Sequence, residues 1–385
     1  MVMKLRLVCI VVTLILLLLL MGTANAAIFI RQPDGSYLPL KYSDISSVEA
    51  NIYVNGVKVI NTSTTLDDLE NIKTVFGKND IGQYAHGIWV VKGEHVEFKT
   101  TTTPTDYAQY RINISGTTWS IYNVTGALEA SGTITDFWSK VSTTGSDIRV
   151  FDQNGNLMYF WIEEFDYTNQ TAVIWVNLTT GSSELNIAYG NELATKSYYE
   201  SGEQTFEFFD DFEGTELDTN KWTVSSGTPI VENGYLKFTS DAVIYTDTKG
   251  FGHVYKTKVR VPSFSSSTDG LFFHPITENI GATAPLRFSY AGDNYLYWYD
   301  GTHYTLGSHS NDGLWHEITI AASSDGVCTI YWDDSELAEY SESITANYLI
   351  LSCDNDAGDE YYYDYVIVAK YADPADFGTP QLVSR

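Results

Sequence analysis

The sequence predicts an all-β protein made of β-sandwich domains in tandem, the last of them a jelly roll. From residue 107 onward, short apolar and aromatic runs with period-two alternation dominate the chain. Turn residues interrupt these runs at intervals of roughly 8 to 12 residues, and only one helical pattern follows the leader. Aromatic residues make up 14% of the chain and charged residues 18%, with 28 Tyr. That balance suits an extracellular β protein and not a disordered acidic tail. A net charge of −27 argues against a nucleic-acid partner, whose phosphates need clustered Lys and Arg.

The elements follow in order. Lys4 and Arg6 precede a 15-residue apolar run, Leu7 to Met21, and Ala24-Asn25-Ala26 supplies a small-x-small cleavage pattern. Residues 1–26 are therefore expected to be a signal peptide, and the mature protein to be extracellular or on the cell surface. The run falls short of the ~20 residues that span a bilayer, and no second span precedes Arg385.

Residues 27–105 read as a small, mostly β domain, with strands at Val48–Tyr53, Val57–Ile60, Gly87–Val91 and Glu94–Phe98. One helix starts at Thr64 or Thr65 and places Leu66, Leu69, Ile72 and Phe76 on one face. Residues 106–205 read as a β-sandwich, in which Asp152-Gln153-Asn154-Gly155-Asn156 is a hairpin turn. Its continuously apolar stretch Thr171–Val176 predicts a strand covered on both faces. Residues 206–375 carry the long strand series of the jelly roll, and 376–385 are a tail. In Tyr255–Val261, Lys256, Lys258 and Arg260 alternate with apolar residues and are expected to face outward.

Two blocks of residues resemble known families. Ser146–Asp152, Ala172–Val176, Ala188-Tyr189-Gly190-Asn191 and Phe206–Phe212 occur in the order found in the family called domain of unknown function 2341, over about residues 107 to 213. That family occurs in secreted and surface proteins of archaea and bacteria, often beside carbohydrate-binding modules, and its activity is undefined. The segment from Asp210 to about Tyr371 resembles the concanavalin A-like lectin/glucanase superfamily, close to laminin G-like modules. The likeness rests on Asp211-Phe212-Glu213-Gly214, Lys221-Trp222, Asn233–Leu236, Gly313–Glu317, Tyr331-Trp332-Asp333 and Tyr363–Val366. It implies one structural Ca²⁺ held by Asp211 and Asp364 with the Gly234 carbonyl, although both aspartates also suit turn capping.

Catalytic motifs are not found in the sequence. Glucanases of this superfamily carry Glu-x-Asp-x-Glu or Glu-x-Asp-x-x-Glu on one strand, which places two carboxylates about 5 to 5.5 Å apart in retaining enzymes. This chain has no such string. Its histidines show no ligand-pair spacing, and there is no Gly-x-Ser-x-Gly elbow. Cys328 and Cys353 each fall on an apolar strand face and are either a disulfide or two buried thiols. Asn61, Asn113, Asn123, Asn169 and Asn177 each begin an N-x-S/T sequon.

The expected binding site is the hairpin Leu286–Tyr299. With a four-residue loop Ala291–Asn294, Arg287 stands opposite Trp298 on the outward face, an aromatic plate beside a multidentate donor, with His274 on the same surface; the alternative is a surface Trp covered by the neighbouring domain or by loops. The other aromatic residues of the hairpin then belong to the core. The expected function is a non-catalytic carbohydrate-binding or adhesion protein, with a glycan or cell-surface protein as partner. The alternatives are a structural component of an envelope, filament or virion, and a polysaccharide hydrolase or lyase with an unrecognised site.

Overall fold

The period-two runs become strands. The computed structural model describes residues 28–31, 37–40, 52–54, 57–60, 77–78 and 84–85 as short strands, and residues 94–384 apart from 102–105, 154–156, 191–195, 265, 268–269, 282–283, 285, 311, 344–346, 356–357 and 372–376. The early strands form antiparallel pairs: β1 (Ile28–Arg31) with β2 (Tyr37–Leu40), β3 (Ile52–Val54) with β4 (Val57–Ile60), and β5 (Gly77–Lys78) with β6 (Tyr84–Ala85). The expected signal peptide, the helix from Thr64 and the strand Gly87–Val91 lie outside the described residues. Among the described residues no helix is long and apolar enough to cross a membrane.

A sandwich follows, made of β7 (Glu94–Lys99), β8 (Ala108–Ser115), β9 (Thr118–Asn123), β10 (Leu128–Thr133), β11 (Arg149–Phe151), β12 (Phe160–Asp166), β13 (Thr171–Leu178) and β14 (Glu184–Ala188). One sheet has the order β10-β9-β8-β13-β12, and the other runs β11-β14-β7 and ends on β30 (Gln381–Ser384). Tyr110, Ile112, Trp119, Ile174, Val176, Leu185 and Ile187 fill the space between them.

Three expectations are corrected here. The strand at Glu94 does not belong to the N-terminal unit, because Val96 and Phe98 enter this core through pairing with β14. The supposed tail is also an element of this sandwich, since Leu382 pairs with Val96 and Phe377 packs edge-on to Tyr110 at 4.9 Å. The hairpin expected across the Asn-Gly turn, whose residues 154–156 lie outside the described ones, goes no further than an antiparallel bridge from Phe151 to Leu157 and the Met158 N–H donating to the Val150 carbonyl, after which β11 and β12 enter different sheets. A period-two pattern fixes which side chains point inward but not which sheet receives the strand.

The jelly roll is inserted between β14 and β30. Its strands are β15 (Phe208–Asp210), β16 (Thr223–Ser226), β17 (Ile230–Glu232), β18 (Tyr235–Phe238), β19 (Ala242–Asp247), β20 (His253–Arg260), β21 (Gly270–Thr277), β22 (Arg287–Ala291), β23 (Tyr295–Tyr299), β24 (His303–Ser308), β25 (Trp315–Ala322), β26 (Val327–Trp332), β27 (Ser335–Ser341), β28 (Tyr348–Asp354) and β29 (Tyr361–Lys370). An eight-stranded sheet, β17-β18-β29-β20-β25-β26-β27 with β15 on β29, faces a seven-stranded sheet, β16-β19-β28-β21-β22-β23-β24. Between them lies the larger core, including Trp222, Phe238, Leu271, Phe288, Trp298, Ile320 and Tyr363.

The two sandwiches are joined face to face. Val173 and Trp175, the alternate residues of the apolar strand β13, meet Phe206, Phe209, Val254, Ala321, Tyr365 and Ile367 of the jelly-roll side. This explains why β13 has no polar face. Charges are buried in the same seam. Arg111 bonds Glu317 at 3.3 Å and Asp334 at 2.5 Å, and Lys256 also pairs with Glu317. Lys256, read from the sequence as outward-facing, does leave the jelly-roll core, but the neighbouring sandwich covers it and its ammonium lies 5.4 Å from the Trp175 ring.

Candidate functional site

The seven-stranded sheet has an inner face set by Leu271, Phe273, Phe288, Tyr290, Leu296, Trp298, Leu349 and Leu351, all in the core. Successive side chains alternate, so the outer face presents Phe272 and His274, Arg287 and Ser289, Tyr295, Tyr297 and Tyr299, and Ile350 and Ser352.

The hairpin register decides which aromatics face outward. Arg287 pairs with Tyr299 and Phe288 with Trp298, so the loop has three residues, Gly292, Asp293 and Asn294, and not four. Asn294 takes a left-handed φ of 68°, as the last residue of a three-residue hairpin loop does. Asp293 locks the turn by accepting from the Tyr295 N–H at 3.2 Å and the Tyr297 hydroxyl at 2.5 Å. A slip of one residue exchanges the two faces. Trp298 is therefore not an exposed plate. It is fully buried, its ring stacks 6.1 Å from Tyr340, and its indole N–H donates to Glu342 at 3.0 Å.

The outer face carries a continuous row of rings instead. The Arg287 guanidinium lies 4.7 Å from both the Phe272 and Tyr299 rings. Tyr299 stands 4.7 Å from His303, His303 lies 6.1 Å from Tyr297, and Tyr297 lies 6.2 Å from Tyr295. Tyr295 is 45% exposed and Tyr297 and Tyr299 are half-buried, while Arg287 sits beneath them, nearly covered. Arg287 is thus in the expected place but holds two rings apart and does not project into solvent. The Asp293 carboxylate raises the Tyr297 phenol to about 12. His274 is fully buried and its Nε2 lies 3.0 Å from the Ser352 hydroxyl. Burial, with the Arg287 charge nearby, lowers it to about 3, so this imidazole is neutral. Of the three expected ligand contacts, Trp298 and His274 are enclosed, and the exposed tyrosines of the same hairpin are the ones the sequence reading had assigned to the core.

The residues expected to hold Ca²⁺ lie in the seam between the sandwiches. Asp211 and Asp364 line a cavity of about 450 Å³ together with Glu213, Trp161, Glu163 and Lys196. Asp364 is the extra residue of a β-bulge, where Lys258 pairs with Tyr365 and Val259 with Tyr363. Glu163 is the extra residue of a second bulge on β12. Bulges re-aim single side chains, and Lys258 lies between the two carboxylates, 3.6 Å from Asp364 and 3.9 Å from Glu163. Burial raises both acids above the usual carboxylate range. Gly234 abuts Glu213, whose carboxylate would stand 2.7 Å from a Cβ placed there. Among the described residues no three Asp, Glu, His or Cys side chains converge as a metal shell, and Asp364 is paired with Lys258.

Cys328 and Cys353 are buried thiols not joined in a disulfide, which corrects the disulfide alternative. Cys328 is on β26 of the eight-stranded sheet and Cys353 on β28 of the seven-stranded one. Facing sheets stand about 10 Å apart, whereas a disulfide needs Cα atoms within about 7 Å.

Comparison with known proteins places these elements in context. Residues 144–225 match the model of a family described as a domain of unknown function, DUF2341. That stretch runs from just before β11 into β16, across the junction of the two sandwiches. No curated protein matches the chain. Among solved structures, the endo-β-1,3-glucanase from Pyrococcus furiosus is similar at 15% identity over 47% of this chain and 95% of that one, with a TM-score of 0.35. A non-specific endo-β-1,3(4)-glucanase of family GH16 is similar at 11% identity over 43% of this chain and 91% of that one, with a TM-score of 0.35. A protein from work on endo-acting O-glycanases of human gut microbiota that initiate mucin breakdown shows 13% identity over 44% of this chain and 100% of that one, with a TM-score of 0.35.

Proposed function

We propose that this is a non-catalytic, glycan-binding protein of the cell exterior, acting in the manner of laminin G-like lectin modules, and that the glycan lies across Tyr295, Tyr297, Tyr299 and His303. The observation that carries the reading is the row of partly exposed rings on the outer face of the seven-stranded sheet. Apolar sugar faces stack on aromatic rings while hydroxyls bond to nearby polar groups, and the row itself carries phenols, an imidazole and, through Tyr297, the Asp293 carboxylate.

The acids on the face favour binding over hydrolysis. Among the described residues, the strand-borne carboxylates on this face are Asp247 and Asp354. Asp247 pairs with Tyr348, the first residue of β28, and Asp354 is its last. At 3.3 Å per residue they stand about 20 Å apart, against roughly 5 to 9.5 Å for the acid pairs of glycoside hydrolases.

The test is a glycan array of the purified chain, followed by titration calorimetry of the best ligand with wild type and the double variant Tyr297→Ala/Tyr299→Ala. The reading expects an affinity loss of about tenfold or more, or 1.4 kcal/mol, with the variant still folded at the temperature of the titration. Unchanged affinity, or product release from a polysaccharide panel, would overturn it.

A further inference from the structure

Four of the five sequons lie within the described residues, and the docking of the two sandwiches treats them differently. Asn113 is on β8, between β9 and β13, in the same alternate set as Gln109 and Arg111. Gln109 bonds to the Thr205 carbonyl and Arg111 to Glu317, so this face is turned to the jelly roll, and the Asn113 carboxamide oxygen is buried without a hydrogen-bond partner. Asn123 is held on both sides: its oxygen accepts from the Thr125 N–H, the Thr125 hydroxyl and the Ala127 N–H, and its NH₂ donates to Glu129 at 2.9 Å. Its turn also presses on the jelly roll, since a Cβ on Gly126 would stand 2.7 Å from the Asp334 carboxylate. Asn177 sits in a crevice with Gln109 and Phe206, donating to the Gln204 carbonyl at 3.4 Å.

Asn169 differs from all three. It lies in the turn between β12 and β13, is exposed, and is followed by Gln170 in the left-handed region at φ 56°. Asp166 accepts its backbone N–H at 2.9 Å and one side-chain N–H at 2.6 Å. A carboxamide has two N–H groups, so this contact fixes the side chain and leaves one N–H uncommitted to Asp166. The far side of the turn is tied down by the Gly116 N–H donating to the Gln170 carbonyl at 2.8 Å.

We infer that, among the described sequons, Asn169 is the N-glycosylation site of the folded protein, and that Asn113, Asn123 and Asn177 are not modified once the sandwiches have docked. The donor is a lipid-linked oligosaccharide. A bond forms between Asn169 Nδ2 and the anomeric carbon, the bond from that carbon to the lipid phosphate oxygen breaks, and the amide proton leaves with the phosphate or a base of the transferase. The inference does not depend on what the jelly roll binds.

The experiment treats the folded, purified chain with a single-subunit oligosaccharyltransferase and a lipid-linked oligosaccharide, then measures intact mass and maps the modified peptide. One glycan on the peptide containing Asn169, and none on the peptides containing Asn113, Asn123, Asn177 or residue 169 in Asn169→Gln, is the expected result. Glycan at Asn113, Asn123 or Asn177, or no transfer to the folded chain while the same chain unfolded in urea and diluted accepts one, would overturn the assignment. As a control for folding, Asn169→Gln is expected to melt within about 2 °C of wild type.

Discussion

Replacing Trp298 by Ala tests the hairpin register that places the candidate site. The register seats this indole between the sheets, where it is fully buried, stacks on Tyr340 and donates to Glu342. Truncating a buried Trp costs about 3 to 5 kcal/mol, and the lost hydrogen bond adds about 1 kcal/mol. At roughly 2 to 4 °C per kcal/mol for a domain of this size, the jelly roll should melt about 8 to 24 °C lower. By contrast, Tyr297→Ala and Tyr299→Ala remove half-exposed rings and should each cost under about 1.5 kcal/mol. Urea denaturation followed by tryptophan fluorescence, run beside ligand titration well below the transition, separates the two effects. If Trp298→Ala keeps wild-type stability and loses only ligand affinity, the four-residue loop is right and the outer face has been assigned to the wrong side chains.

Further outcomes follow from the seam and the core. Glu317→Gln leaves the buried Arg111 and Lys256 with only Asp334, at the edge of the seam, as a shared counter-charge, which should cost up to about 3 to 5 kcal/mol at neutral pH. The Glu317 carboxyl is held at about 2, below its ordinary 4.5, by the Lys256 and Arg111 charges that outweigh burial. Its contribution is therefore complete above pH ~4.5 and lost as pH falls toward 2, so urea midpoints of the variant should fall less than those of wild type over that window; parallel profiles would refute the network. Burial pushes the Cys328 thiol up to about 12; both cysteines should resist iodoacetamide in the native chain and react in denaturant, with melting unchanged by reductant. Lys258 already neutralises Asp364, so Ca²⁺ should leave the melting temperature in place; a rise that disappears in Asp364→Asn would restore the cation site.

Alternation made most of the fold legible. Val259, Ile318 and Ile320 point into the core as their spacing predicts, and the apolar run of β13 is covered on both faces. Sheet membership was less accessible, because Glu94–Lys99 and Gln381–Ser384 look like ordinary edge strands until they pair with each other across the whole length of the jelly roll. Bulges were also hidden: Asp364 shifts the phase of β29, so Tyr361 and Tyr363 join Val366 and Val368 in the core, although strict alternation separates these pairs. The hairpin that carries the proposed site was placed to within one residue of its register. Its two strands were legible, yet the loop length was not, and the signal for it was Asn294, a residue type that tolerates the left-handed conformation ending a three-residue loop.

The most direct measurement of the binding account is oxidative footprinting of the full chain with and without a glycan selected on the array. Protection should be confined to Tyr295, Tyr297, Tyr299 and His303, and Trp315 and Tyr362 on the opposite sheet should react equally in both states. Protection of Trp315 and Tyr362 with no change in the three tyrosines would contradict the account.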